Sequence, residues 1–232
     1  MTGKVISILN DKGGVGKSTS AVCLSVNFML DGQRVALADA DARHSCQDWA
    51  KLANDNGYET PLVVCNSKNS IGADIAKLKE LHDYVVVDGM SSFVSSEKNE
   101  VISAIIKASD YVFIPTSSDH MDLWALEALT SPIKARQQLT DGSPKAYIYG
   151  AKIRDNTNEW REFVVNKGMA PFPIMEAYLP AYVEIARTVG TGRTPFALPE
   201  SNKAYHAVVK WINEIKEIIA YEHVYEASRH TV

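Results

Sequence analysis

The 232-residue chain reads as an α/β protein, a doubly wound and mostly parallel sheet with helices on both faces. Three observations predict it. Short apolar runs rich in β-branched residues recur along the chain, and stretches with apolar residues at helical spacing separate them. The first such run, Val5 to Leu9, breaks into a glycine-rich turn and passes at once into a helical pattern. Two later runs end in aspartate, at Asp39 and Asp88, where the C-terminal edge of a parallel sheet gathers ligand-binding groups.

Lys4 to Thr19, KVISILNDKGGVGKST, organises the rest. Val5 to Leu9 is a buried strand. Strand, glycine-rich turn, Lys-Ser and helix together make a phosphate-binding loop. Its glycines let backbone N–H groups face phosphates with no Cβ in the way, and the helix N-terminus adds a partial positive charge. Gly13, Gly14, Val15, Gly16, Lys17, Ser18 and Thr19 are therefore expected to hold a nucleotide. Lys17 reaches the β- and γ-phosphates, and the Ser18 hydroxyl ligates Mg²⁺.

The helix from Ser18 to Leu30 carries Ala21, Leu24, Val26, Phe28 and Met29 at core spacing and stops at Asp31-Gly32. Arg34 to Ala38 is the second strand and delivers Asp39-Ala40-Asp41. His44 to Asn56 is a helix whose Trp49 is expected to pack rather than to stack on a base. Leu62 to Asn66 is a third strand and Ile71 to Leu81 a helix. Tyr84 to Asp88 is a fourth strand, with Asp88 available to Mg²⁺ and its waters. The following Gly89-Met90-Ser91-Ser92 suits a segment that moves with the γ-phosphate. Glu97 to Ala108 is a helix and Asp110 to Thr116 a fifth strand. Met121 to Leu139 is a helix with Leu123, Leu126 and Leu129 in the core. Lys145 to Lys152 is the sixth strand and Phe172 to Met175 the last. Asn202 to Tyr221 is a helix with one apolar stripe: Tyr205, Val208, Trp211, Ile212, Ile215 and Ile219.

Composition narrows the field. With 46% hydrophobic and 22% charged residues, the chain buries one sizeable core, so one domain over residues 1–232 is expected. No apolar run approaches the ~18 residues of a membrane span. The chain enters a strand directly, so neither a signal peptide nor an N-terminal helix-turn-helix extension is expected. Cys23, Cys46 and Cys65 form no pair or metal spacing, which suits buried packing in a reducing cytosol and excludes an iron–sulfur site. The net charge of -4 means that any nucleic-acid contact must come from a local basic patch.

One departure from the common phosphate loop is informative. G-x-x-x-x-G-K-[ST] would place glycine at position 11, where this chain has Asp11 followed by Lys12. The form K-G-G-x-G-K-[ST] resembles the deviant Walker A motif of the ParA/MinD family of ATPases. The resemblance implies that the nucleotide is ATP and that Lys12 crosses a dimer interface to the nucleotide of the other subunit. Asp39-Ala40-Asp41 is similar to the family's D-x-D-P-Q. By that likeness Asp41 positions the attacking water, while Asp39 supports Mg²⁺ through water or Lys17. Ala42 and Arg43 stand where the family has Pro and Gln, which implies a looser switch. The run D-A-R-H-S-C-Q-D-W-A-K resembles D-P-Q-x-S-x-x-x-W of the small plasmid partition ATPases of the ParF type. Adenine recognition then falls to loops holding Lys152, Ile153, Arg154, Leu179 and Pro180.

Glu184-Ile-Ala-Arg187-Thr-Val-Gly190 and Thr194-Pro195-Phe196 resemble the E-A-x-x-x-G-x-P-V segment of ParA-type chains. There, basic residues line a DNA-binding surface, and Arg187, Arg193, Lys203 and Lys210 are the matching positions. The resemblance thus implies an ATP hydrolase of weak intrinsic activity that drives plasmid partition from the cytoplasm, on the nucleoid. ATP bridges a homodimer that binds DNA without sequence preference, and a centromere-binding or cargo adaptor protein stimulates hydrolysis. A positioning ATPase for a conjugation, secretion or compartment cargo has the same chemistry. A MinD-like membrane-surface ATPase needs a basic amphipathic C-terminal helix, which Tyr221 to Val232 does not offer. A metabolic enzyme on the same fold needs a substrate pocket that no motif marks.

Overall fold

The computed structural model describes residues 2–91, 96–117, 122–154, 159–165 and 170–229, with the side chains at 96–97, 122–125, 159, 163–164 and 222–229 outside that set. Ser92, Met121 and the Leu123 side chain, each named from the sequence, therefore lie outside the described residues, as do 230–232 of the tail.

Strands and helices alternate: β1 (Lys4–Ile8), α1 (Lys17–Leu30), β2 (Val35–Asp39), α2 (Ser45–Asp55), β3 (Leu62–Cys65), α3 (Ile71–Leu81), β4 (Tyr84–Asp88), α4 (Ser96–Ala108), β5 (Tyr111–Thr116), α5 (Asp122–Leu139), β6 (Lys145–Ile153), α6 (Glu159–Val165), β7 (Leu179–Pro180), α7 (Val183–Gly190) and α8 (Lys203–Arg229). The seven strands found among the described residues are parallel, in the order β3-β2-β4-β1-β5-β6-β7. Parallel neighbours need crossovers, and the crossovers here are helices that cover both faces.

β1 shows how the pleat divides the core. Ile6 and Ile8 point to one face, where they join Leu24, Phe28, Phe113 and Trp211 beneath α1 and α8. Val5 and Leu9 point to the other, among Ile75, Ile105, Leu129 and Ile133 of α3, α4 and α5. Ser7 shares that second face, and its buried hydroxyl is satisfied by Ser109 Oγ at 2.6 Å. The stripe read in α8 is buried at Val208, Trp211, Ile212, Ile215 and Ile219, with Tyr205 half-buried at its edge.

Bounds for α3 and β4 match the sequence reading, and most other ends move by a residue or so, as fraying ends do. Three differences are larger. The run Phe172 to Met175 makes only an isolated bridge, Ile148 to Ile174, and the last strand is Leu179–Pro180. Pro171 and Pro173 lack the N–H groups a ladder needs, which limits pairing there. The sequence reading assigns neither α6 nor α7, and α8 runs past Tyr221 to Arg229.

Candidate functional site

The register of the central strands assembles the site. β2 and β4 pair with Asp39 opposite Asp88, and β1 pairs with β4 so that Ile8 also meets Asp88. The phosphate loop leaves β1 two residues later, so it arches over both aspartates. Asn10 fixes its base: the buried carboxamide donates to the Pro115 carbonyl at 2.5 Å, and Oδ1 accepts the Lys12 N–H at 2.7 Å. Gly14 and Gly16 have φ of 76° and 102°, left-handed values that other residues adopt at a cost. Gly13 needs no such freedom, and a Cβ there or on Gly14 would meet nothing within 4 Å. The space above the loop is open, and its shape suits phosphate oxygens approaching bare backbone.

Lys17 opens α1, is buried, and donates to the Lys12 carbonyl at 2.9 Å. Burial pulls its ammonium below the ordinary value, while the carboxylates of Asp88 and Asp41 act to raise it. Val15 is buried, Gly16, Ser18 and Thr19 are half-buried, and Lys12, Gly13 and Gly14 lie exposed at the rim.

The three aspartates differ in kind. Asp39 is fully buried, with Oδ1 accepting the Asp41 N–H at 3.1 Å and Oδ2 the Cys46 N–H at 2.9 Å. Burial raises its pKa and those backbone donors oppose the rise. Asp88 is also fully buried, beside the Ser18 hydroxyl and the Cys46 thiol, which donates to Oδ2 at 3.3 Å. Among the described residues its Oδ1 has no hydrogen-bond partner. Burial pushes its pKa to about 7, against the Ser18 hydrogen bond, and the nearby Asp39 charge adds to the rise. For Asp41, burial raises the pKa, but hydrogen bonds from Arg43 and Ser91 outweigh it and bring the carboxyl to about 2.

A divalent cation fits here. The Ser18 hydroxyl and the Asp39 and Asp88 carboxylates offer hard oxygens beside the Cys46 thiol, and among the described residues no hydrogen bond reaches the buried Asp88 Oδ1. The sign of the linkage is testable. A carboxyl whose folded pKa is raised favours folding fully below its ordinary 3.8 and loses that contribution as pH climbs through about 7. Asp41 and Asp83 are lowered to about 2, so their effects fall below that window. Without Mg²⁺ the protein is expected to lose stability between about pH 4 and 7. Asp88→Asn is expected to flatten that loss and to cancel any gain in melting temperature that added Mg²⁺ produces above pH 7. Thermal melts across pH, with and without Mg²⁺, check this; an unaltered Mg²⁺ response in the variant counts against the assignment.

Several site residues emerge only in three dimensions. Lys152, read as a candidate near adenine, donates from Nζ to the Gly14 carbonyl on the phosphate loop. It does so from a left-handed backbone, φ 58°, at the end of β6. Ile153, Leu179 and Pro180 are buried where β6 meets β7, and Arg154 is exposed. Cys46 is buried as expected but touches a carboxylate rather than apolar neighbours alone, and Cys65 is only half-buried. Trp49 packs as expected, with its indole N–H on the Arg193 carbonyl at 3.0 Å. His44 caps α2 in a left-handed conformation, φ 53°.

The four basic positions lie on α7, on the turn after it and on α8. Arg187 lies in the last turn of α7, and Arg193 in the turn after it, stacked over Tyr58 at 5.3 Å. Lys203 starts α8, over the Tyr182 ring at 4.1 Å, and Lys210 lies two turns further on. All four are exposed. Among the described residues, no helix is long and apolar enough to cross a membrane.

A family model described as an AAA domain matches residues 3–63. The maintenance of carboxysome distribution protein A of Gloeobacter kilaueensis is 28% identical over 190 residues, 77% of each chain. The chromosome partitioning protein ParA of Caulobacter vibrioides is 23% identical over 230 residues, 82% of this chain and 85% of that one. Among solved structures, the Cyanothece McdA(D38A)–ATP complex superposes with a TM-score of 0.68 at 14% identity, over 90% of this chain and 96% of that one. Cobyrinic acid a,c-diamide synthase from Mycobacterium smegmatis, with a bound ATP analog and magnesium, gives 0.67 at 16% identity over 91% and 93%. At such identities the structural likeness is one of fold.

Proposed function

We propose that this chain, which belongs to the ParA/MinD family of P-loop ATPases, is a cytoplasmic ATP hydrolase that partitions a plasmid or another DNA cargo by binding DNA in its ATP state. One observation carries the reading. Buried Lys17, Asp39, Asp41 and Asp88 meet at one sheet edge under a glycine loop, while a second lysine, Lys12, stands exposed at the rim of that loop.

Each residue has a task. The backbone N–H groups of Gly13 to Thr19 and the Lys17 ammonium bind the triphosphate. Ser18, Asp39 and Asp88 would hold Mg²⁺, which would supply neutralisation of phosphate charge there. Asp41 orients the attacking water. Lys12 acts across a homodimer on the partner's nucleotide, delivering a cation to the transferring phosphoryl group. Arg187, Arg193, Lys203 and Lys210 contact DNA phosphates without reading bases. An adaptor protein on the cargo stimulates turnover and release. A compartment cargo in place of DNA is the second reading, favoured by the likeness to the carboxysome distribution protein.

Binding to random-sequence duplex DNA with Mg²⁺ and ATP, then with ADP, at two salt concentrations tests the reading. ATP-specific binding is expected, with log affinity falling by roughly 0.9 per log unit of salt for each phosphate contacted. Equal binding with ADP, or none with either nucleotide, removes the DNA surface from the proposal.

A further inference from the structure

We propose that Arg43 is a built-in brake on hydrolysis, a positioning residue that holds Asp41 away from the attacking water until its guanidinium is drawn off. The inference rests on the reading of Asp41 given above.

The geometry is a closed triangle. Asp41 Oδ1 accepts the Arg43 backbone N–H at 3.0 Å and its Nε–H at 3.1 Å. Asp41 Oδ2 accepts Arg43 Nη2–H at 3.0 Å and the Ser91 hydroxyl at 3.2 Å. The same Nη2 reaches Ser91 Oγ at 3.0 Å, so one guanidinium ties the segment after β2 to the segment after β4. An ionised carboxylate offers about four lone-pair sites, and these donors engage all of them. No acceptor is left for a water. Two parallel N–H contacts also fix the carboxylate plane, which a single contact does not.

The carboxylate and the clamp differ in exposure. The Asp41 side chain is 9% exposed and the Arg43 side chain 63%. Opening the clamp therefore requires only rotation of a solvated side chain, with the backbone contact at Oδ1 left in place. In that open state Oδ2 faces the water. If only the open fraction turns over, the observed rate is the intrinsic rate times that fraction. An acidic group on a partner that engages the exposed guanidinium raises the open fraction and hence the rate. The neutral glutamine expected at this position has neither the charge nor the planar fork to clamp the carboxylate.

Steady-state phosphate release by the full chain, with ATP varied, tests the brake in Arg43→Gln, Arg43→Lys and the double variant Asp41→Ala/Arg43→Gln. Arg43→Gln is expected to raise kcat about fivefold, the factor that corresponds to the ~1 kcal/mol of a well-placed exposed ion pair, with KM for ATP unchanged. Arg43→Lys, which keeps the charge but loses the fork, is expected to fall between. The double variant is expected to be inactive, because the released activity still runs through Asp41. A merely structural role does not raise kcat at constant KM. An unchanged or lower kcat in Arg43→Gln, with Asp41→Ala inactive, overturns the brake and leaves the ATPase reading standing; a lower value points instead to a guanidinium that assists the phosphoryl group. Wild-type turnover that survives Asp41→Ala overturns the reading of Asp41, and the brake with it.

Discussion

Lys12→Ala is expected to abolish ATP-dependent dimerisation and turnover while leaving the monomer able to bind nucleotide. The loop explains why the effect is confined to the ammonium. Lys12 shapes the loop through its backbone: its N–H donates to Asn10 Oδ1 at 2.7 Å, and its carbonyl accepts Lys17 Nζ at 2.9 Å. Alanine keeps both contacts. The side chain stands exposed at the rim, where a second copy of the chain can meet it. A cation supplied in trans to a transferring phosphoryl group is worth about 10³–10⁵ in rate, so turnover should fall to background. Sedimentation with Mg²⁺ and ATP, alongside fluorescent-nucleotide binding, separates the two effects. A dimer that forms as well without the Lys12 ammonium sinks the trans arrangement.

Asp41→Ala is expected to cut hydrolysis by about 10²–10⁴, the usual worth of a positioned proton acceptor, while ATP binding and the ATP dimer persist. The Asp41 carboxylate is engaged by Arg43 and Ser91, and the hydrogen bonds of Asn10 and Lys17 that hold the phosphate loop do not use it, so its loss leaves them intact. Arg43 is exposed and keeps water as a partner when the carboxylate is gone, so the fold should tolerate the change. Single-turnover phosphate release with the dimer monitored in parallel makes the test. Undiminished turnover removes Asp41 from the reaction.

The two variants fail in different ways, and this separates assembly from chemistry. With the DNA-binding comparison between ATP and ADP, they distinguish a chain that switches its surface from one that only hydrolyses ATP.

Much of this site is local and was therefore legible. The β-branched run from Val5 to Leu9, the glycines with left-handed φ and the helix that starts at Lys17 depend on neighbours close in the chain. So do the apolar strands that end at Asp39 and Asp88, and the α3 helix. Periodicity, β-branching and glycine tolerance act over a few residues, and a sequence displays them directly.

Register and side-chain reach are different. Nothing near Asp39 in the chain says that it lies opposite Asp88; the β2–β4 pairing decides that. Arg43 was visible as a departure from glutamine, but its grip on Ser91 spans 48 residues of sequence. Lys152 crosses 138 residues to reach Gly14, and no local pattern distinguishes it from a solvated lysine at a strand end. Cys46 looked like packing until α2 set its thiol on Asp88. By itself, then, the sequence determined the alternating α/β elements and the phosphate loop with its two lysines, because short-range backbone preferences encode them. Only the tertiary structure decided which carboxylate accepts the buried thiol, which is clamped by a guanidinium and which strand-end lysine reaches the loop, because packing of distant segments sets those contacts and their burial.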